Sequence, residues 1–105
     1  MPLFVNYAKE VGVCAQEWDM HSIPQGNCWF DWTFCIGTLE HAYDIKKALS
    51  EILRVSGVGS YLSVPIESRA VFDANPSHHF WGESADIWDA LFDEVAGDGW
   101  EYKRE

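Results

Sequence analysis

The stretch Cys28-Trp29-Phe30-Asp31-Trp32-Thr33-Phe34-Cys35-Ile36 decides how the rest of the chain reads. Its residues alternate with the period of a strand: Cys28, Phe30, Trp32, Phe34 and Ile36 fall on one face, and Trp29, Asp31, Thr33 and Cys35 on the other. A strand face made only of apolar groups needs a second layer to cover it, so the even-numbered face is expected to lie in the core. Trp29 sits on the mixed face beside Asp31 and Thr33, where it can pack under a helix or stay partly exposed for a partner. The usual burial of tryptophan favours the first.

Outward from this strand, residues 3–7 and 11–15 have the short, β-prone composition of strands, and 21–27 reads as a loop because Pro24 fixes one dihedral and Gly26-Asn27 accept positive φ. On the other side, Thr38 is positioned as an N-cap. Leu39, Ala42, Ile45, Leu49, Ile52 and Leu53 then repeat with three-and-four spacing, which predicts a helix over 39–56 stopped by Gly57. The opposite face pairs Asp44 with Lys47, Lys47 with Glu51 and Glu51 with Arg54, each worth about 0.2–0.5 kcal/mol. Residues 61–66 alternate like a strand that Pro65 confines to a sheet edge or ends, and 69–72 reads as a further short strand. Asn75-Pro76 opens a loop through Gly82. Ser84 caps a second helix over 85–96, with Ile87, Trp88, Leu91, Phe92 and Val95 as its apolar stripe and Gly97 at its end. The tail 100–105 adds a last short strand. The expected fold is a small single α+β domain spanning 1–105, a mainly antiparallel sheet with two packed helices at 39–56 and 85–96.

Composition narrows the function. The 105 residues are 48% hydrophobic, enough for a core without staples, and 7 Lys plus Arg stand against 17 Asp plus Glu, a net charge of −10. That balance excludes direct binding to nucleic acid or anionic lipid, which needs clustered cations, and points to a basic partner. No apolar run approaches the roughly 18 residues of a membrane span, and the first residues lack the basic flank of a signal peptide. Cys14, Cys28 and Cys35 leave one thiol over under any intramolecular pairing, which suits a reducing compartment. The expected location is the cytoplasm.

Charge is concentrated toward the carboxyl end. Asp86, Asp89 and Asp93 recur at three- and four-residue spacing on the second helix, with Glu94 beside them, and Asp93 and Glu94 occupy the carboxyl end where the helix dipole prefers cations. Like charges so placed destabilise a helix on its own, and a positively charged partner relieves them; a solvated, solubilising face is the plainer account. Aromatic residues make up 15% of the chain. Phe80 and Trp81, in the loop before the acidic helix, either anchor a partner next to the charge stripe or staple the loop to the core.

Other chemistry lacks a pattern. Cys14, Cys28, Cys35, His21, His41, His78 and His79 supply ligand types for zinc, but none of the close Cys pairs or spaced His pairs of common zinc modules is present, so no metal or cofactor is expected. No nucleophile elbow, phosphate-cradling glycine loop or His-Glu-x-x-His helix occurs, so no reaction is favoured and the chain is not expected to be an enzyme.

In size, charge and aromatic content the chain resembles phage anti-defence proteins, anti-CRISPR proteins among them, and bacterial toxin-immunity proteins; the resemblance covers no motif. It implies a small acidic inhibitor that blocks a basic, nucleic-acid-handling protein or nucleoprotein, by nucleic-acid mimicry or by neutralising a cognate toxin. The expected contact residues are Asp86, Asp89, Asp93, Glu94, Phe80, Trp81 and Trp29. Two readings compete with it: a small enzyme or ligand-binding domain using Cys or His near the 75–82 loop, and a homo-oligomeric structural subunit that buries its surplus aromatics between copies.

Overall fold

Asp44, not Thr38, starts the first helix. The computed structural model describes residues 6, 9–12 and 15–101. Within them, strand β1 (Phe30–Ile36) leads through a 3-10 turn (Leu39–His41) into helix α1 (Ile45–Val55), which passes directly into strand β2 (Ser56–Ser63). Thr38 turns its hydroxyl back to donate to the Ile36 carbonyl (3.1 Å), whereas the Asp44 carboxylate accepts from the Lys47 amide (3.2 Å). Ala42 adopts an extended conformation between them. The helix expected over 39–56 is therefore a 3-10 turn and a shorter α-helix, each on its own hydrogen bonds.

The sheet is parallel, which corrects the antiparallel expectation. A helix lies between its two strands and returns the chain to the end where it began, so β1 and β2 pair in parallel, Phe34 opposite Tyr61 and Ile36 opposite Ser63. Gly57 does not stop α1 but belongs to β2, where a Cβ would press on the carbonyl oxygens of Cys28 and Phe30. The strand ends two residues before Pro65. Of the other expected strands, residues 3–5, 7, 13, 14 and 102–105 lie outside the described residues. Val11 and Gly12 form a turn, and Trp100 and Glu101 are not in a strand. Residues 69–72 are helical: Ser68 accepts from the Val71 amide (3.3 Å) to cap helix α2 (Arg69–Ala74), and Arg69 pairs with Asp73 one turn on (3.0 Å).

Helix α3 (Ala85–Ala96) matches its expectation in extent. Ser84 occupies the N-cap position without a side-chain bond, and Gly97 ends the helix at φ +58°. Its Trp88 and Leu91 join Leu39, Ala42, Ala48, Leu49 and Ile52 in the core, where Trp88 is 2% exposed and its indole N–H donates to the Pro65 carbonyl (2.9 Å). Gly82 lies so close to the Trp88 ring that a Cβ there would collide with it. No helix among the described residues is long and apolar enough to cross a membrane.

The faces of β1 are inverted relative to the sequence expectation. Cys35 and its β2 neighbour Leu62 pack on the core. The Thr33 hydroxyl is bonded to those of Ser56 and Ser60, both at 2.7 Å. Ser56 also bonds to the Ile52 carbonyl of α1 (2.6 Å), so small hydroxyls take the helix side of the sheet and the large residues of β1 face outward. Because side chains alternate with period two, a phase shift of one residue exchanges the whole set. An irregularity between Phe30 and Trp32 absorbs that shift, and Phe30 is left half-buried.

Candidate protein-docking face

The outward face of the sheet carries Trp32, Phe34 and Ile36 from β1 and Tyr61 from β2, and Phe34 is 72% exposed. The Phe34 and Tyr61 rings lie side by side, centroids 6.2 Å apart. Trp32 lies over Gly59 on the neighbouring strand, a position that no other residue could occupy without displacing the ring. Trp29, just before β1, is 64% exposed, which reverses its expected burial and leaves it available to a partner. Toward the end of α3, Trp32, Val58, Phe92, Ala96, Trp100 and Glu101 line an adjoining groove. Among the described residues eight apolar side chains are buried and twelve large ones exposed, four of the twelve on this face.

The other expected contact residues have different surroundings. Phe80 packs against Trp88 with ring centroids 4.6 Å apart, so of its two expected uses the structure realises the staple. Trp81 is half-buried, its indole N–H donating to the Glu67 carbonyl (2.9 Å) and its ring lying under the Arg69 guanidinium. On α3, Asp86 and Asp93 are exposed and Asp89 half-buried. Asp86 and Asp89 take part in interactions of their own within the chain. Glu94 pairs with Lys46 of α1 at 2.8 Å. The four carboxylates are thus not equivalent, and part of the stripe is neutralised within the molecule.

Arg54 holds the loop leading to β1. Its guanidinium forms two bonds with the Glu51 carboxylate (2.8 and 2.9 Å) and donates to the carbonyls of Gln25 (2.8 Å) and Ile23 (2.9 Å) and to the Asn27 side chain. The Ile23 amide donates to Glu51 (2.9 Å). Arg54 and the Ile23 amide together hold the Glu51 carboxyl down to about 2. The thiols differ in setting: Cys28 is exposed, while burial, with Glu40 adding to it, pushes the Cys35 thiol up.

One group of described residues has metal-ligand chemistry: Glu40 and His41 from the 3-10 turn and His78 from the 75–82 loop, with one ligand atom of each within 4.8 Å of the others. Spacing in the sequence hides this group, because His41 and His78 meet only when the loop folds back on the turn. On the predicted helix Glu40 falls on the polar face with Asp44, Lys47 and Glu51, so the adjacent Glu40-His41 pair carries no periodic cue to its burial. No protein-family model and no curated protein matches the chain.

Proposed function

We propose that the protein is a small acidic protein-binding module that docks on the basic surface of a nucleic-acid-handling partner and inhibits it, in the manner of anti-defence or immunity proteins. One observation carries this reading: the open aromatic sheet face of Trp32, Phe34, Ile36 and Tyr61 in a chain of net charge −10. Exposed aromatics are the commonest binding anchors, and an arginine guanidinium is the cation that both stacks on such rings and pairs with carboxylates. The acidic surroundings bias the choice of occupant. A second copy would bring another −10 against the first, whereas a basic partner is drawn in. The partner is therefore a protein with arginines set among apolar side chains, met in a reducing, cytoplasmic compartment. The net negative charge provides attraction at a distance, and the sheet face provides the anchor.

Capture from host extract on the immobilised protein, followed by mass spectrometry, tests this. The captured protein should be basic, Phe34→Ala and Tyr61→Ala should each lower its affinity at least tenfold, and charge reversal at Asp86 and Asp93 should mainly slow association and flatten its salt dependence. Capture that survives both aromatic substitutions, or a partner without a basic surface, overturns the proposal. Light scattering showing a stable dimer at low salt would favour the oligomeric reading. The alternative of a small enzyme or ligand-binding domain near the 75–82 loop rests on one observation, the position of His78 beside Glu40 and His41.

A further inference from the structure

We propose that Glu40, His41 and His78 form a binding site for a divalent transition metal ion, Zn2+ in the first instance. The 75–82 loop is fastened over the 3-10 turn by two amides, His79 (2.6 Å) and Phe80 (3.1 Å), which both donate to the Glu40 carbonyl. That closure brings the His78 ring to the His41 ring, edge to face at 4.8 Å between centroids.

Each imidazole is oriented by a partner on its Nδ1. His41 Nδ1 donates to the Ser77 carbonyl (2.9 Å), and His78 Nδ1 donates to the buried Glu67 carboxylate (2.8 Å). With the proton held on Nδ1, the lone pair of each ring is on Nε2. An imidazole that donates one nitrogen to a carbonyl or carboxylate while offering the other is how metal-binding histidines are ordinarily held. Glu67 is itself positioned from both sides, its amide donating to the Gly82 carbonyl (3.1 Å) and its carbonyl accepting from Trp81.

Glu40 is the observation that asks for a ligand. Its side chain is 4% exposed; Oε1 lies 3.5 Å from His41 Nε2, and Oε2 is buried with no hydrogen-bond partner. An orphaned carboxylate oxygen in the interior costs free energy that a cation removes. The 3.5 Å between Glu40 Oε1 and His41 Nε2 matches the roughly 3.4 Å that separates two ligands about 2.0–2.1 Å from a tetrahedral zinc, while His78, within 4.8 Å of both, draws in to complete the set. Two neutral imidazoles and a carboxylate are borderline donors suited to Zn2+, Co2+ or Ni2+, whereas Ca2+ and Mg2+ prefer all-oxygen shells. Three protein ligands leave a fourth position, which opens on the side of His41, whose side chain is 38% exposed. This site is separate from the aromatic face, so each proposal can fail alone.

The test is calorimetric titration of chelator-treated protein with ZnSO4, alongside Co2+ binding followed by its visible d–d absorption and by paramagnetic broadening of the imidazole NMR signals. The expected result is one equivalent, with broadening centred on His41 and His78 in the unaltered chain, His41→Ala and His78→Ala each weakening binding more than a hundredfold, and Glu67→Gln weakening it about 10–100-fold through the orientation of His78. The NMR readout needs no variant, so a substitution that fails to fold does not spoil the test. Absence of stoichiometric uptake, or broadening centred on His21 or His79 instead, overturns the assignment.

Discussion

Arg54 joins a helix to a loop through hydrogen bonds that lysine cannot reproduce, because a single ammonium has no planar fork to divide between a carboxylate and three loop acceptors. Arg54→Lys should therefore lower the melting temperature and speed amide exchange at Ile23, which a hydrogen-exchange measurement reads directly; unchanged exchange would show that the loop is held otherwise. The same pair sets an acid limit. Glu51 titrates near 2 in the folded chain against an ordinary 4.5, so the folded state prefers its carboxylate, and this stabilisation is complete above about pH 5 and fades as pH falls from 4.5 toward 2. In Glu51→Gln that part of the acid sensitivity should vanish, seen as a flatter dependence of melting temperature on pH over the window. At the thiols, the exposed Cys28 should react with iodoacetamide well before the half-buried Cys35, whose thiolate is disfavoured by burial and by Glu40. Peptide mapping by mass spectrometry separates the two, and equal rates would contradict the placement of Cys35 on the core side of β1.

At the scale of elements, Gly82 and Trp88 decide how the 75–82 loop seats on α3. The Trp88 ring fills the space where a side chain at residue 82 would begin, so Gly82→Ala should destabilise the fold by about 1–3 kcal/mol, the usual cost of overpacking, measurable by urea unfolding. A neutral result would mean that the loop can lift away. Helix α3 was legible in the sequence to the residue because its apolar stripe, Ser84 and Gly97 all agree on one element. Near α1 the cues conflict: Thr38 and Asp44 are both residue types that cap helices, and in the structure Thr38 heads the 3-10 turn while Asp44 caps α1. Alternation marked β1 as a strand but could not say which face turns inward, since an apolar face reads as core unless the hydroxyls of Ser56 and Ser60 are known to meet Thr33. The site at Glu40, His41 and His78 was illegible for a related reason. Its ligands are brought together by a loop closure that leaves no local spacing to read.

For the molecule as a whole, two forces oppose each other on one small surface. A net charge of −10 repels other copies, while the aromatic face gains by being covered, and the radius of gyration of 14.7 Å exceeds the roughly 13 Å of a well-closed chain this long. Which force wins depends on salt. At about 0.01 M the screening length is near 30 Å, comparable to the molecule, and the charges act together; at 1 M it is near 3 Å and they act hardly at all. The chain should therefore be monomeric in dilute buffer and self-associate as salt rises, since burial of Trp32, Phe34 and Tyr61 is indifferent to screening. Light scattering across that range checks it, and Phe34→Asp should abolish the salt-driven association while leaving the far-UV spectrum unchanged. Binding to a basic partner has the opposite salt dependence, weakening as the same charges are screened, so the two associations through this face carry slopes of opposite sign. Association that is strongest in dilute buffer would mean that the charges assist the contact between copies, and the face would then belong to an oligomer rather than to an inhibitor.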